Sequence, residues 1–485
     1  MRGRIDVSVA GVLTVVALVL HAEFFVSAGP LWRDEVATLH VATSPLGLLW
    51  ERLNFESFPL VWPLLLRTWC AMFGQGISSL RTLGLLIGIA SVAALWTAAR
   101  ALQLRAPLIA LACVALNGAV IRFGDMLRAY GLSCIVGLLA LTAVWNAAGF
   151  GTRRRWIIAT IVCVVAVHTT FFNAVVVLAI CVAAMIASRE IVKPLLAGGV
   201  SAASLLIYLP VIRARAAWSA INAVRVTPSD VARGFLVALA KNGALSAWVT
   251  VAAIAAALVY AAMRHTKSGE RTFALATLLM VLVGEGVFLV ALRNPTVPWY
   301  FVLPLTIAGI CADVLLATGP LRLILALVVA AAGLAPALGY VSLRSTNADG
   351  IARALQTFAR PDDVIVVYPW YCGVTLAPEL QQLWTTLPPI ADHSVHRYDL
   401  LQQLAARNDA AQPVVNATTA ALRSGHRVWL AGFPLGSENS GRHDRIWCDA
   451  LSDALRANAR RAMVVVAPDP KTIANERMQL VVFER

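Results

Sequence analysis

Asp34 and Glu35 stand in the run LWRDEVATL (Leu31–Leu39), a few residues beyond the first apolar segment and directly after Arg33. Ionisable groups at a membrane edge are expensive, which makes them functional candidates by default. An ionised carboxylate can act as general base where a hydroxyl reaches it, or can complete the N-terminus of the helix that EVATLHVAT would form. On these residues alone both readings stand. Arg81, Arg122, Arg128, Arg213, Arg215 and Arg293 offer anion-binding groups near helix ends, where snorkelling to the interface is the other fate of Arg. Glu56 and Asp125 are further acids, with Glu56 either positioning a substrate or simply solvated in its loop. His168 sits at a helix end, as a proton relay or a hydrogen-bonded turn residue. Glu285, in LVGEGVF, is an acid deep inside an apolar stretch and must be neutral or paired there.

The elements that position these groups follow from composition. With 59% hydrophobic and 14% charged residues in 485, and a mean hydropathy of +0.74, the chain is a polytopic membrane protein. The formal charge of +14 comes from Arg scattered over short loops, which fits positive-inside retention and gives no reason to expect nucleic acid as a partner. Cys70, Cys113, Cys134, Cys163, Cys181 and Cys311 lie in apolar stretches without C-x-x-C spacing and read as small buried hydrophobes; no metal motif is visible.

About eleven apolar windows are long enough to matter: Val7–Val26, Thr82–Ala99, Pro107–Ile121, Ala129–Ala148, Trp156–Thr170, Phe172–Ala187, Pro194–Val211, Gly243–Met263, Thr272–Leu292, Trp299–Leu316 and Leu321–Val341. The first lacks a small-residue cleavage site and is expected as a retained helix with its N-terminus in the cytoplasm. Arg100/Arg105, Arg153–Arg155, Arg189/Lys193, Arg264/Lys267/Arg271 and Arg322 then fall in cytoplasmic loops, and the first loop, residues 27–80, faces outward with the tail. The stretch Trp156–Ala187 is barely long enough for two crossings, and HTTFFN (His168–Asn173) predicts a tight turn between two short helices.

The expected division is a transmembrane domain over 1–344 and a soluble α/β domain over 345–485. Strand-like runs occur at Asp362–Pro369, Arg427–Pro434, Ala462–Asp469 and Met478–Glu484, with an amphipathic stretch at Arg445–Arg461. Cys372 and Cys448 are expected either as a disulfide, if this domain lies outside, or as buried thiols.

The first loop resembles the opening of the GT-C superfamily of membrane glycosyltransferases. The likeness is to the polyprenyl-phosphate-sugar-dependent group that includes protein O-mannosyltransferases and lipid A aminoarabinose transferases. Asp34-Glu35, Phe58-Pro59-Leu60, Trp69…Phe73-Gly74 and Arg81 carry it in order, and Arg128 and Tyr130 in RFGDMLRAYGLSC extend it. In NPTVPWYFVLPL, Trp299 stands where the family pattern places Arg, and Arg293 a few residues earlier is the alternative source of charge. The resemblance implies an inverting enzyme of the bacterial inner membrane, its active site facing the periplasm. A sugar on polyprenyl phosphate, such as undecaprenyl phosphate, would pass to a hydroxyl of a glycolipid, polysaccharide or protein. It implies Asp34 as general base with Glu35 as capping or positioning neighbour, and Arg81, Arg128, Tyr130 and Arg293 at the donor phosphate. Glu56 and His168 would position substrate. No cofactor is expected, because no carboxylate cluster beyond Asp34, Glu35, Glu56 and Asp125 is available to hold a metal; a divalent cation is left open. The competing classes are a lipid-linked-sugar transporter or flippase, against which no second copy of the Leu31–Arg81 pattern is found, and an envelope assembly scaffold.

Overall fold

Helix is the default for an apolar chain in lipid, because it satisfies every backbone group within the segment, and each of the apolar windows is helical in the computed structural model. The structure describes residues 2–56, 58–214, 225–263, 268–293, 295–317, 320–407, 409–436 and 442–485. Among these, eight helices are long and apolar enough to cross a bilayer: Gly3–Ser27, Ile77–Ala101, Tyr130–Phe150, Val192–Ala214, Ala244–Met263, Gly269–Leu292, Pro298–Leu315 and Leu321–Val341.

The other three windows depart from a simple span. Pro107–Ile121 belongs to a helix broken into Leu108–Ala115 and Gly118–Asp125 with a 70° bend. Asn117 makes the break, its Oδ1 accepting the N–H groups of Ala119 and Val120 at 2.9 and 3.2 Å. Asn242 closes it, accepting from Gly118 N at 2.8 Å and donating to Leu116 O at 3.1 Å. Asp313 does the same for the first half, one oxygen on Ile109 N at 2.9 Å and the other on Ala110 N at 2.8 Å. The remaining two windows form helices Arg153–Val167 and Asn173–Ser188, only 15 and 16 residues long, on either side of a turn at His168. That is the expected tight turn. Asn173 holds it, donating to Ala166 O at 2.7 Å while accepting from Thr170 Oγ1 at 2.8 Å.

The chain divides into two compact units, and the second joins Ala28–Glu56 to Leu343–Arg485. The first half of the loop therefore folds with the C-terminal domain. Its five strands are β1 (Val364–Tyr368), β2 (Thr385–Thr386), β3 (Val428–Gly432), β4 (Arg461–Val466) and β5 (Gln479–Glu484), in the order β2-β1-β3-β5-β4. β1 is parallel to β2 and β3, whereas β5 runs antiparallel to β3 and β4. VIVVY and VWLAG are nearly continuous apolar runs because helices cover both faces of the sheet.

Alternate side chains sort to opposite faces of a strand. Val366 and Tyr368 pack with Val414, Leu422, Trp447 and Cys448, while Ile365 and Val367 pack with Ile351, Leu355 and Cys372. Cys372 and Cys448 are thus buried thiols in separate cores. The disulfide alternative is corrected by the sheet standing between them.

Candidate functional site

In the membrane unit the site is built on the turn between Gly118–Asp125 and Tyr130–Phe150. Arg81, Gly84 and Gly88 share one face of the helix Ile77–Ala101. A Cβ at Gly84 would collide with the carbonyl of Asp125, and one at Gly88 with the His21 ring and the Asp125 carboxyl. The missing side chains let the turn seat directly on the helix that carries Arg81. His21 Nδ1 lies 2.6 Å from Asp125 Oδ2, tying the first helix to the same turn.

Three guanidinium groups gather here, all buried: Arg81, Arg122 and Arg128. Arg81 and Arg122 both lie over the ring of Phe24, at 5.9 and 4.9 Å. Arg122, at 0% exposure, also lies 5.1 Å from the Tyr340 ring and donates from Nη2 to Tyr340 O at 2.9 Å. Arg128 lies 5.2 Å from Phe58 and 5.9 Å from Tyr130. Aromatic faces stabilise these charges where water is scarce. Phe58 brings in the start of the FPL element, and the Trp69…Phe73-Gly74 element ends a helix. Its two rings meet at 4.3 Å, and Gly74 (φ 79°) stops Val61–Phe73 just before the Arg81 helix.

Trp299, in the place of the expected Arg, joins this cluster as an aromatic, 5.2 Å from Phe123 and 6.5 Å from Tyr130. Arg293 is exposed at the C-terminal cap of its helix with φ 55°, and Arg213 is exposed as well. Arg215 lies outside the described residues. His168 is a turn residue, its Nδ1 3.0 Å from Tyr208 Oη and its Nε2 3.0 Å from Ser204 Oγ. Glu285 is 3% exposed, and neither carboxyl oxygen has a hydrogen-bond partner among the described residues. It lines a small cavity with Tyr130, Ser133 and Trp299. It also lines an apolar groove of about 640 Å³ walled by Val231, Phe235, Leu282, Val287 and Phe301.

In the second unit, Asp34 lies in the first turn of the helix Arg33–Thr43. Glu35, fully buried, turns back so that Oε2 accepts Trp32 N–H at 3.2 Å. It is the capping neighbour the sequence suggested. Glu56 is buried, which corrects the solvated alternative: it closes the turn Leu53–Phe55, donating its N–H to Leu53 O at 3.1 Å. Asp34 Oδ1 lies 3.6 Å from Arg33 Nε and 3.5 Å from His396 Nε2. Arg33 Nη1 also reaches Glu476 Oε1 at 3.6 Å, and its guanidinium covers the Tyr371 ring at 4.4 Å. Glu476 is fully buried and accepts from Thr375 Oγ1 at 3.0 Å. Burial raises its carboxyl to about 7 against the opposing pull of Arg33.

His396, Glu476 and Tyr371 were not singled out from sequence. Their runs, HSVHRYDL, IANERMQ and PWYCG, carry no spacing that marks them; only the fold brings them to Asp34 and Arg33. Among the described residues, no group of three or more His, Cys, Asp or Glu side chains is placed to hold a metal ion.

Neither family models nor curated proteins match the sequence. Solved structures do. ArnT from Cupriavidus metallidurans matches over 97% of this chain and 97% of its own when bound to undecaprenyl phosphate, with TM-score 0.54 and 13% identity. Its apo state gives TM-score 0.55 and 14% identity over 97% and 98%. The archaeal oligosaccharyltransferase AglB from Archaeoglobus fulgidus, in complex with an inhibitory peptide and a dolichol-phosphate, matches over 96% of this chain and 74% of its own, with TM-score 0.52 and 12% identity. The chain has the GT-C fold. The likeness in fold extends over nearly the whole length, beyond the membrane helices to which the first-loop resemblance applied. Within this GT-C fold the family-matching residues Arg81, Arg128 and Tyr130 are packed around one turn, and Asp34 is anchored by the C-terminal unit.

Proposed function

We propose that the protein is an inverting glycosyltransferase of the bacterial inner membrane. It moves a sugar from a polyprenyl-phosphate donor to an acceptor hydroxyl on the periplasmic side. The observation that carries this reading is the buried trio Arg81, Arg122 and Arg128. Three cations held out of water beside one turn create a positive potential that attracts an anion, and a lipid-borne phosphate is the anion a bilayer supplies. The apolar groove beside Glu285 suits a polyprenyl chain.

In the reaction, the acceptor oxygen bonds to the anomeric carbon while the carbon–oxygen bond to phosphate breaks. The electron pair of that bond leaves with the phosphate, whose growing charge the guanidinium groups stabilise. The hydroxyl proton passes to the Asp34 carboxylate. One displacement inverts the sugar and needs no second nucleophile. Tyr130 and Trp299 provide aromatic surface beside Arg128.

The test is transfer of radiolabelled sugar from a panel of undecaprenyl-phosphate-linked donors to envelope fractions, using purified full-length protein. Asp34→Asn is expected to lower turnover by about a hundredfold or more at equal folded amount. Arg128→Gln is expected to lose about a hundredfold, in part through a higher KM for the donor. Transfer that survives both changes would remove Asp34 as base and Arg128 from the phosphate site, whereas no transfer from any donor would leave a transport or scaffold role instead.

A further inference from the structure

The C-terminal domain has no role in the chemistry just described, yet one of its side chains meets the proposed base. We propose that His396 is a positioning residue for Asp34, so that the C-terminal domain orients the carboxyl that takes the acceptor's proton. This inference rests on the reading of Asp34 as base.

Three observations support it. First, His396 Nε2 and Arg33 Nε converge on the same oxygen, Asp34 Oδ1, at 3.5 and 3.6 Å. Two basic groups in ion-pair range of one oxygen favour the carboxyl orientation that turns Oδ1 towards them and Oδ2 away. Second, the imidazole is itself fixed. It is 8% exposed, stacks with Tyr398 at 6.1 Å and an interplanar angle of 23°, and meets the Trp370 ring edge-on at 6.4 Å. Third, the helix bearing Asp34 is anchored to the same domain through Arg33, which reaches Glu476 and covers Tyr371. A base held within a few tenths of an ångström by rigid neighbours is what a proton transfer requires.

The charged and titratable groups near His396 include Asp34 on the loop helix and Tyr398 on the C-terminal domain, and Arg33, which shares the Asp34 oxygen, carries the network on to Glu476 and Tyr371. Arg397 is held by Asp392 at 2.9 Å and Asp399 at 2.7 Å, and Asp34 is an acid 3.5 Å from the imidazole. A protonated His396 keeps Asp34 ionised to lower pH, and Asp34 in turn keeps His396 protonated to higher pH.

The experiment has two arms, both on detergent-solubilised full-length protein. In the first, ring-labelled histidine is followed by NMR, and the His396 signal is assigned by its loss in His396→Gln. Asp34→Asn is expected to lower the pH at which this signal titrates by about one unit. An unchanged titration overturns the proposal whether or not any donor is turned over. In the second, kcat and KM are measured against pH with a transferring undecaprenyl-phosphate donor. His396→Ala is expected to lower kcat about tenfold with the donor KM unchanged. His396→Gln, which keeps an N–H near the position of Nε2, is expected to recover most of kcat and yet move the acid limb of kcat/KM up by about half a unit to one unit. Loss of folded protein or of kcat in both variants with the acid limb in place means a merely structural histidine and overturns the proposal. An Asp34→Asn variant that still turns over overturns the general-base reading as well, whereas an inactive Asp34→Asn with a wild-type acid limb in His396→Gln overturns this inference alone.

Discussion

The membrane bundle and the C-terminal unit bury charge by different means. In the bundle, charged groups are satisfied by backbone and ring faces. Asp313 caps Ile109 and Ala110, and Arg122 rests on Phe24 and Tyr340. Arg322 does link acids, Asp6 at 2.9 Å and Asp313 at 3.7 Å, although the second is held mainly by the N–H groups. In the C-terminal unit, forked ion pairs near the surface dominate. Arg397 clasps Asp392 and Asp399, and Arg427 clasps Asp363, which also accepts from Trp429 Nε1 at 2.9 Å. The difference follows from solvent. Where water is within reach an ion pair carries much of the load; where it is scarce, charge leans more on backbone ends and π-faces, as it does even in the C-terminal unit at buried Asp363, which also accepts the N–H groups of Arg360 and Arg427.

The largest effect expected from breaking this contrast is at Asp313. Asp313→Leu strands two N–H groups and leaves Arg322 to Asp6 alone, and should cost about 3–5 kcal/mol, read as loss of thermal stability in detergent. A loss below about 1 kcal/mol would mean that the bundle tolerates an open helix end. Asp363→Asn should cost less, about 1–3 kcal/mol, because one oxygen continues to accept and the partners stand near water. If the two losses were equal, solvent would not be what separates the units.

The pH dependence sharpens the contrast within the C-terminal unit itself. Asp392 is drawn down to about 2: burial would raise it, but Ser394, Arg397 and Arg52 outweigh that. Its contribution to stability is complete above the ordinary carboxylate range and fades as pH falls from about 4 towards 2. Glu476, raised to about 7 by burial, has the opposite sign. The folded state binds its proton more tightly, so stability declines as pH rises from about 4.5 to 7. Glu476→Gln should flatten that decline, and Asp392→Asn should flatten the acid-side loss, both read by thermal unfolding across pH. The smallest expected effect is at Arg293, exposed at a helix cap. Arg293→Gln should change donor KM less than about twofold, and a tenfold rise would return that residue to the phosphate site.

Much of the architecture was legible because it rests on local rules. Apolar run length marked the crossings, and short runs rich in β-branched and aromatic residues such as VIVVY and VWLAG marked the strands. The broken helix was not anticipated, although its signal is present: Asn117-Gly118 within an apolar window supplies both a cap and a permissive hinge. At the candidate site, Arg81, Arg128 and Tyr130 could be named because a motif orders them along the chain. His396 and Glu476 could not, since what makes them neighbours of Arg33 and Asp34 is the sheet. Arg122 was one of several helix-end arginines, and only its complete burial sets it apart. The loop was expected to belong with the membrane helices because it follows one of them. Its helix Arg33–Thr43 packs instead with the distant C-terminal unit, which no local pattern records.

That packing has a consequence for how the protein is made. The segment bearing Asp34 leaves the ribosome among the first residues, while His396 and Glu476 emerge near the end, with nearly the whole chain synthesised in between. Contacts of such long sequence separation form late. The proposed base is therefore held in its working orientation only after every membrane helix has been inserted, so that a chain interrupted during synthesis would lack its assembled catalytic centre.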